Sequence, residues 1–221
     1  MCASALQSAE TILLFDIPWE AYEGLVDALP GHRMRHTYDC GTLELFKNVL
    51  YHVSWEAYDK ILDAFGDRRF RHTYQEGTLE IMSPSNEHEW IKRFLGRMIE
   101  MAAWEQKMSI RSVGSATRRK KDLLHGLESD ESYYLGHDPI PRRGRRAENL
   151  PPPELVVEVD LRRPDLDRLE SYAVLGVKEV WRFRKEKVEI FLLGKEHDTY
   201  KSSKKSLAFP LLTAEILSRL V

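Results

Sequence analysis

An apolar stripe at helical spacing occurs twice near the start of the chain. In residues 19–29 apolar side chains fall three or four positions apart, and residues 55–65 repeat this arrangement, so each segment predicts an amphipathic helix. Each predicted helix is followed by two short runs that alternate between apolar and polar side chains. These runs indicate strands at residues 33–38, 42–46, 69–74 and 78–82. The pattern therefore predicts two helix-plus-hairpin units in succession.

The two units are copies of one another. Residues 19–46 and 55–82 align at a constant offset of 36 without a gap, and 15 of the 28 aligned positions are identical. Gly41 and Gly77 recur at the predicted turns, where glycine accepts a positive φ without strain. Two copies are too few for a stacked solenoid, which needs about three repeats. The first copy could add a strand to a sheet edge, mediate dimerisation, or be a poorly folded relic of a partial duplication.

After the repeat, the hydrophobic pattern changes. A long apolar stripe predicts a helix from Ser83 and Pro84, as N-cap and first helical residue, to about residue 106. Asp165 and Gly176 are the predicted N-cap and C-terminal stop of a second helix. The remaining predicted elements are strands at 108–119 and 132–135, polar irregular chain at 120–131, a loop at 136–153, a strand at 154–160, a hairpin of 178–184 with 187–193, and a short helix at 213–220.

This order of elements predicts an α/β fold with a mixed sheet (α+β), in which helices flank a central sheet. It does not show the regular alternation of a parallel α/β protein. We divide the chain into an appendage at 1–48, a main domain at 49–200 and a C-terminal tail with a short helix at 201–221. We expect the main domain to fold without residues 1–48.

Composition narrows the functional classes. Of the 221 residues, 43% are hydrophobic and 31% are charged, which is typical of a soluble globular protein. No apolar run is long enough to cross a membrane, and the N-terminal segment lacks the features of a secretory signal. Cys2 and Cys40 are too few for a disulfide framework, so we expect a reducing, cytoplasmic compartment.

The net charge of −2 is not that of an obvious nucleic-acid-binding protein, but its distribution is uneven. Three basic clusters stand out. They could be solvated loops or phosphate contacts around a local acidic site. The clusters are Arg118, Arg119, Lys120 and Lys121; Arg142, Arg143, Arg145 and Arg146; and Lys201, Lys204 and Lys205.

Carboxylates supply the candidate chemistry. Glu158 and Asp160 lie two residues apart on one face of the predicted strand 154–160, because strand side chains alternate. Asp130 precedes another strand, and Glu80 ends the second hairpin. Convergent carboxylates bind hard cations such as Mg²⁺, which can activate water for phosphodiester hydrolysis. The alternative is that Glu158 and Asp160 lie on a solvated strand face.

Five spaced motifs resemble the Uma-type family of restriction endonuclease-like proteins, which belongs to the PD-(D/E)xK nuclease superfamily. The motifs span about residues 50–195 and agree in order with the family. The resemblance implies a restriction endonuclease-like core. The motifs are GTLEIMSPSNEHEWIKRFLGRMIE, GLESDESYYL, PPPELVVEVD, LDRLESYAVLGVKEVWRF and VEIFLL.

The resemblance also implies roles for single residues. Asp130 matches the aspartate of the PD motif, with Ser129 in place of the proline, and Glu158 matches the acidic residue of the (D/E)xK motif. Asp160 stands where that motif has lysine. The family's cation then falls on Arg168, which can contact a phosphate or orient water but is a poor proton acceptor.

Further residues complete the predicted site. Glu80 matches an acidic residue near the first hairpin of the family. His88 lies at the start of the long helix, where it could transfer a proton, contact a phosphate or serve the structure alone. Tyr172 shares a helix face with Arg168, although core packing is its simpler role.

We predict that four tryptophans pack in the core: Trp55, Trp90, Trp104 and Trp181.

The sequence therefore predicts an endonuclease that uses Mg²⁺ or Mn²⁺ to hydrolyse DNA phosphodiester bonds. Asp130, Glu158 and Glu80 are the predicted metal ligands, assisted by Asp160, Arg168 and His88. Arg118, Arg119, Lys120 and Lys121 are the predicted nucleic-acid contacts. DNA is the expected partner and a homodimer is possible. The alternative is a non-catalytic protein with the same fold that binds nucleic acid or another protein.

Overall fold

The structure is a computed structural model, and it divides the chain into two compact units, Met1–Ser83 and Pro84–Val221. Among the residues described, no helix has both the length and the apolar character needed to span a membrane. The described residues are 11–29, 36–45, 49–65, 71–82, 84–139, 150–162, 164, 166–196 and 199–221.

In the first unit, each copy of the repeat consists of an edge strand, a helix and a two-stranded hairpin. In both copies the second strand of the hairpin lies in the middle, paired with the edge strand on one side and with the first hairpin strand on the other. The elements are β1 (Ile12–Leu14), α1 (Trp19–Ala28), β2 (His36–Asp39), β3 (Thr42–Leu45), β4 (Val49–Leu50), α2 (Trp55–Phe65), β5 (Arg71–Gln75) and β6 (Thr78–Met82).

The same aromatic contacts fasten the helix to the hairpin in both copies. Tyr22 stacks on Tyr38 with ring centroids 4.6 Å apart, and Tyr58 stacks on Tyr74 at 4.5 Å. The Tyr38 hydroxyl donates to the Ile17 carbonyl, and the Tyr74 hydroxyl donates to the Val53 carbonyl. Both hairpin turns use a glycine in the left-handed region, with φ of 84° at Gly41 and 87° at Gly77. The repeat in the sequence is therefore a repeat in local structure.

The two copies share one hydrophobic core. Buried side chains from α1 and β3, such as Leu25 and Leu43, belong to the same cluster as Ile61 and Phe65 of α2. Helices α1 and α2 approach closely at Gly24, where an added Cβ would lie 2.9 Å from the Ala64 Cβ. Residues between Ile12 and Leu45 supply a large part of this core. That the main domain folds without residues 1–48 stays a prediction.

The second unit is built on a six-stranded sheet with the order β14-β13-β12-β11-β10-β7. Within this sheet only β11 and β12 run parallel, and α4 connects them; the other pairs are antiparallel. Strands β8 and β9 pair with each other as an antiparallel hairpin. The elements are α3 (Asn86–Glu105), β7 (Ile110–Ser112), β8 (Thr117–Lys120), a 3-10 helix (Lys121–Leu123), β9 (His125–Glu128), β10 (Glu131–Leu135), β11 (Leu155–Asp160), α4 (Arg168–Leu175), β12 (Glu179–Arg184), β13 (Lys187–Leu193), β14 (Tyr200–Ser203) and α5 (Ala214–Leu220). The predicted mixed α+β class is confirmed.

The central strand β11 separates two cores. Leu155, Val157 and Val159 share a cluster with the buried face of α3. Val156 lies on the other face, in a cluster with Tyr172 of α4. The predicted alternation along residues 154–160 is therefore confirmed, and it directs Glu158 and Asp160 towards the α4 side of the sheet.

Several predicted details of the second unit are wrong. Helix α3 begins at Asn86, and its N-cap is Ser85, whose hydroxyl accepts from the His88 amide, so Pro84 is not the first helical residue. The segment 120–131 contains strand β9, which the polar sequence HGLE conceals. Strand β14 was not predicted either, because the sequence YKSS lacks apolar alternation.

The prediction of four core tryptophans is half correct. Trp55 and Trp181 are buried, but Trp90 is 55% exposed and Trp104 is 83% exposed. Both exposed tryptophans lie on α3, whose buried face is formed by other residues, including Ile91, Leu95 and Ile99. The hydrophobicity of tryptophan suggested burial, but the helical period places these two side chains on the solvent face.

The close approach of α1 and α2 predicts that Gly24→Ala destabilises the first unit. The new methyl group meets the Ala64 Cβ, and overpacking of this kind typically costs about 1–3 kcal/mol, partly offset by the better helix propensity of alanine. Lys60 occupies the equivalent position in the second copy and is exposed, so Lys60→Ala is the matched control. Thermal melts of the two variants measure the difference; a Gly24→Ala protein as stable as the control would contradict the packing described.

Candidate active site

Helix α4 carries two of the site residues and is fixed at both ends. The Asp167 carboxylate caps it by accepting from the Leu169 amide, and Gly176 ends it with φ of 81°. The predicted N-cap, Asp165, lies outside the described residues. The buried Ser171 hydroxyl lies 2.9 Å from the His125 Nδ1 of β9, which ties the middle of α4 to the neighbouring hairpin.

Glu158 is the centre of the site. Its side chain is 1% exposed, and each of its two carboxylate oxygens accepts a hydrogen bond from α4. Arg168 donates to Oε2 and Tyr172 donates to Oε1. The two donors can reach the same carboxylate because residues four apart lie on one face of a helix. Tyr172 also packs in the core, so the two roles considered for it coexist.

Arg168 contacts a second carboxylate as well. Its Nη1 lies 3.9 Å from Oδ1 of Asp160, so one guanidinium neutralises part of the charge of both acidic side chains of β11. Arg168 therefore places one cation beside both acidic side chains. Its role as the cation that replaces the motif lysine stays a prediction.

Asp130 joins the same site from the turn before β10. It is fully buried, and its Oδ2 accepts from the Val159 amide at 2.6 Å. The antiparallel pairing of β10 with β11 brings Asp130 beside that amide. The His88 Nε2 lies 3.0 Å from the same oxygen, and its Nδ1 lies 3.4 Å from Glu89. His88 therefore orients Asp130 from the first turn of α3.

The electrostatics of the site follow from burial and crowding. Burial raises the pKa of Glu158 to about 7; Arg168 and Tyr172 oppose this rise, whereas Asp130 and Asp160 add to it. Burial also raises the pKa of Asp160, again against the influence of Arg168. Burial alone would lower the pKa of Arg168, but the three carboxylates outweigh it and raise that pKa, so the arginine stays charged. The site holds more negative than positive charge when all its carboxylates are ionised.

The donors fit a hard divalent cation in chemistry but are not arranged as a ready-made cage. Carboxylate oxygens are the ligands that Mg²⁺ and Mn²⁺ prefer, and a cation would relieve the repulsion among Asp130, Glu158 and Asp160. Within the described residues, however, no group of three or more His, Cys, Asp or Glu side chains has the geometry to hold a metal ion. Each oxygen of Glu158 accepts one protein hydrogen bond, which leaves a further lone pair on each oxygen to which a cation could bind.

A pocket of about 300 Å³ opens beside Glu158 and Asp160, and two arginines of β12 line it. The parallel pairing sets Arg182 beside Glu158 and Arg184 beside Asp160. Sequence analysis missed both arginines. The alternation of EVWRFR could have shown that they share a face, but only the pairing of β11 with β12 brings that face to the site.

The remaining predicted residues that the structure describes lie on other elements of the fold. Glu80 is buried on β6 in the first unit. Arg118 is also buried: its guanidinium donates to the Tyr134 hydroxyl at 2.6 Å and to the Pro151 carbonyl at 3.1 Å. Arg119, Lys120 and Lys121 lie nearer the surface, on β8 and the following 3-10 helix. The arginines of 142–146 lie outside the described residues.

Comparison with known proteins gives one sequence family and a distant structural relative. The sequence model of a family described as "Uma2: Putative restriction endonuclease" matches residues 55–219. A crystal structure of a putative nuclease belonging to DUF820 from Anabaena variabilis is 18% identical, covers 67% of this chain and 89% of its own, and superposes with a TM-score of 0.46. No curated protein matches the chain.

The crowding of buried carboxylates predicts that Glu158 titrates far above an ordinary glutamic acid. We expect a midpoint of about 7 when the side-chain carboxyl carbons are followed by NMR against pH, with the resonance assigned by its loss in Glu158→Gln. Asp160→Asn should lower that midpoint, because the ionised Asp160 raises the pKa of Glu158. A Glu158 midpoint at the ordinary pKa of a glutamic acid, about 4.5, would contradict the electrostatics described.

Proposed function

Because this chain belongs to the Uma2 family, whose sequence model covers residues 55–219, we propose that it is a metal-dependent endonuclease that hydrolyses DNA phosphodiester bonds. The family description supports nuclease activity in general terms. One observation carries the finer proposal: Asp130, Glu158 and Asp160 converge with a single arginine in a buried site beside a pocket. Buried like charges are costly, and they are kept where a cation or a reaction uses them.

Asp130 and Glu158 would hold the metal ion, Mg²⁺ or Mn²⁺, with Asp160 beside them. A bound divalent cation would supply an activated water and would neutralise charge on the phosphoryl oxygens. Glu80, the third ligand that the family resemblance implies, lies in the first unit, and its contribution stays a prediction. His88 fixes the orientation of Asp130 and would keep its carboxylate aimed at the ligand position.

Arg168 would serve substrate rather than act as a base. Its pKa is raised above the ordinary arginine value, so it cannot accept a proton from water near neutral pH. Once Glu158 turns towards a metal ion, the guanidinium of Arg168 would be able to bind a phosphate oxygen through its planar fork of N–H donors. Tyr172 has a pKa well above its usual value and would remain a neutral hydrogen-bond donor.

A non-catalytic protein that binds nucleic acid or another protein is the second candidate. The observation that favours it is that, in the described part of the chain, no group of three or more His, Cys, Asp or Glu side chains has the geometry to hold a metal ion. The two candidates differ in their dependence on metal. Binding that persists unchanged in a chelator, without any cleavage when metal is added, would favour the second.

Three further features belong to this proposal. Arg119, Lys120 and Lys121 would contact the DNA backbone, whereas the buried guanidinium of Arg118 serves the fold. A homodimer, which would match the twofold symmetry of many DNA sites, is part of the proposal. We also propose a reducing, cytoplasmic location, which agrees with the presence of only two cysteines in the sequence.

The proposal predicts that Asp130→Asn and Glu158→Gln each lower metal-dependent nicking of supercoiled plasmid by about 100-fold or more. These amides keep the size of the side chains and part of their hydrogen bonding, whereas alanine would leave the Val159 amide and Arg168 without their partners. Circular dichroism melts check that both variants fold, and Glu105→Gln is the control for an exposed carboxylate. Nicking at the wild-type rate by both variants would rule out this site.

A further inference from the structure

Two rows of opposite charge run side by side along the pocket. Strands β11 and β12 are parallel, with Glu158 paired to Arg182 and Asp160 paired to Arg184. Paired residues on neighbouring strands project from the same face of a sheet. All four side chains line the pocket of about 300 Å³, so the arginines of β12 form the wall next to the carboxylates.

The two arginines differ in what they contact. Arg182 donates through Nε and Nη2 to Glu189 Oε2, at 3.1 and 2.9 Å, and its guanidinium lies 4.6 Å from the centre of the Phe191 ring. Arg184 has no hydrogen-bond or ion-pair partner among the described residues, although it is half-buried and lines the pocket. Its positive charge opposes the rise in the pKa of Asp160.

The backbone beneath Arg184 is well defined. Arg184 ends β12 and pairs with Lys187, and the hairpin closes through Lys185 and Glu186, which both have positive φ, at 49° and 59°. Two consecutive residues of this kind form the tight turn that matches the twist of paired strands. The base of the Arg184 side chain is therefore held in place at the edge of the pocket.

The charges of the pocket indicate what that partner is. Asp130, Glu158 and Asp160 repel a polyanion, so a substrate phosphate can approach only where cations face it. Of the arginines that line the pocket, Arg168 is bound to the carboxylates and Arg182 to Glu189. Arg184 is the third, and its planar fork of donors matches two oxygens of a phosphate group.

We propose that Arg184 binds a phosphate group of the DNA strand that enters the pocket, next to the phosphodiester bond to be cleaved, with Arg182 as a fixed cation beside it. This inference rests on DNA as the substrate in the proposed function, and it adds a residue that the family motifs do not include. It makes Arg184 a substrate-binding residue rather than a ligand of the metal.

The test is the salt dependence of DNA binding, measured by fluorescence anisotropy with a labelled DNA duplex in the presence of a chelator. Loss of one phosphate contact should weaken binding by about 10-fold in Arg184→Gln and should reduce the slope of log K against log salt by about 1. Arg184→Lys keeps the charge but loses the fork, so it should keep the wild-type slope with an intermediate affinity. Arg97→Gln removes the same charge from the exposed side of α3 and should leave both quantities unchanged.

The outcomes separate this inference from the proposed catalysis. Three results would overturn the inference. Arg184→Gln could keep the wild-type affinity and slope, or Arg184→Gln and Arg97→Gln could lose affinity equally. The third result is a wild-type protein that binds no DNA. A wild-type protein that fails to nick plasmid but shows the Arg184 effect would refute the proposed hydrolysis and keep the phosphate contact of Arg184. Melting curves check that each variant folds. If Arg184→Gln is unfolded, the DNA affinities of Arg184→Lys and Arg97→Lys are compared instead. Equal affinities of these two variants would overturn the inference.

Discussion

The second unit depends on how it accommodates the buried carboxylate of Glu158. An ionised carboxylate without partners in the interior costs several kcal/mol, so β11 can carry Glu158 only if another element supplies donors. Helix α4 does this with Arg168 and Tyr172, one for each oxygen. That requirement fixes the rotation of α4 about its axis. It also means that α4, which connects the parallel strands β11 and β12, must lie on the face of the sheet that carries Glu158.

The same interaction bears on the proposed function. The two donors that make Glu158 tolerable in the folded protein leave a lone pair on each of its oxygens. A divalent cation would therefore be able to bind there, and it would relieve the repulsion that Asp130 and Asp160 exert on Glu158. The site can therefore be stable without metal and still suited to binding it.

The sequence was sufficient where one local pattern decides the structure. Alternation along 154–160 predicted which face of β11 carries the carboxylates, and the glycines at 41 and 77 predicted the two turns. Local patterns failed where the tertiary context decides. Trp90 is hydrophobic but lies on the solvent face of α3, and the sequence HGLE forms a strand because it pairs with β8. Arg184 could not be found, since only strand pairing brings it beside Asp160.

The central claim is that the carboxylates around Glu158 bind a divalent cation, and calorimetric titration with Mn²⁺ tests it most directly. The account predicts that Mn²⁺ binds the wild-type protein and that Asp130→Asn and Glu158→Gln each abolish this binding while the proteins remain folded. The exposed-site variant Glu105→Gln should bind Mn²⁺ as the wild type does. Absence of Mn²⁺ binding by the wild-type protein would contradict the account, and so would equal Mn²⁺ binding by the wild type and all three variants.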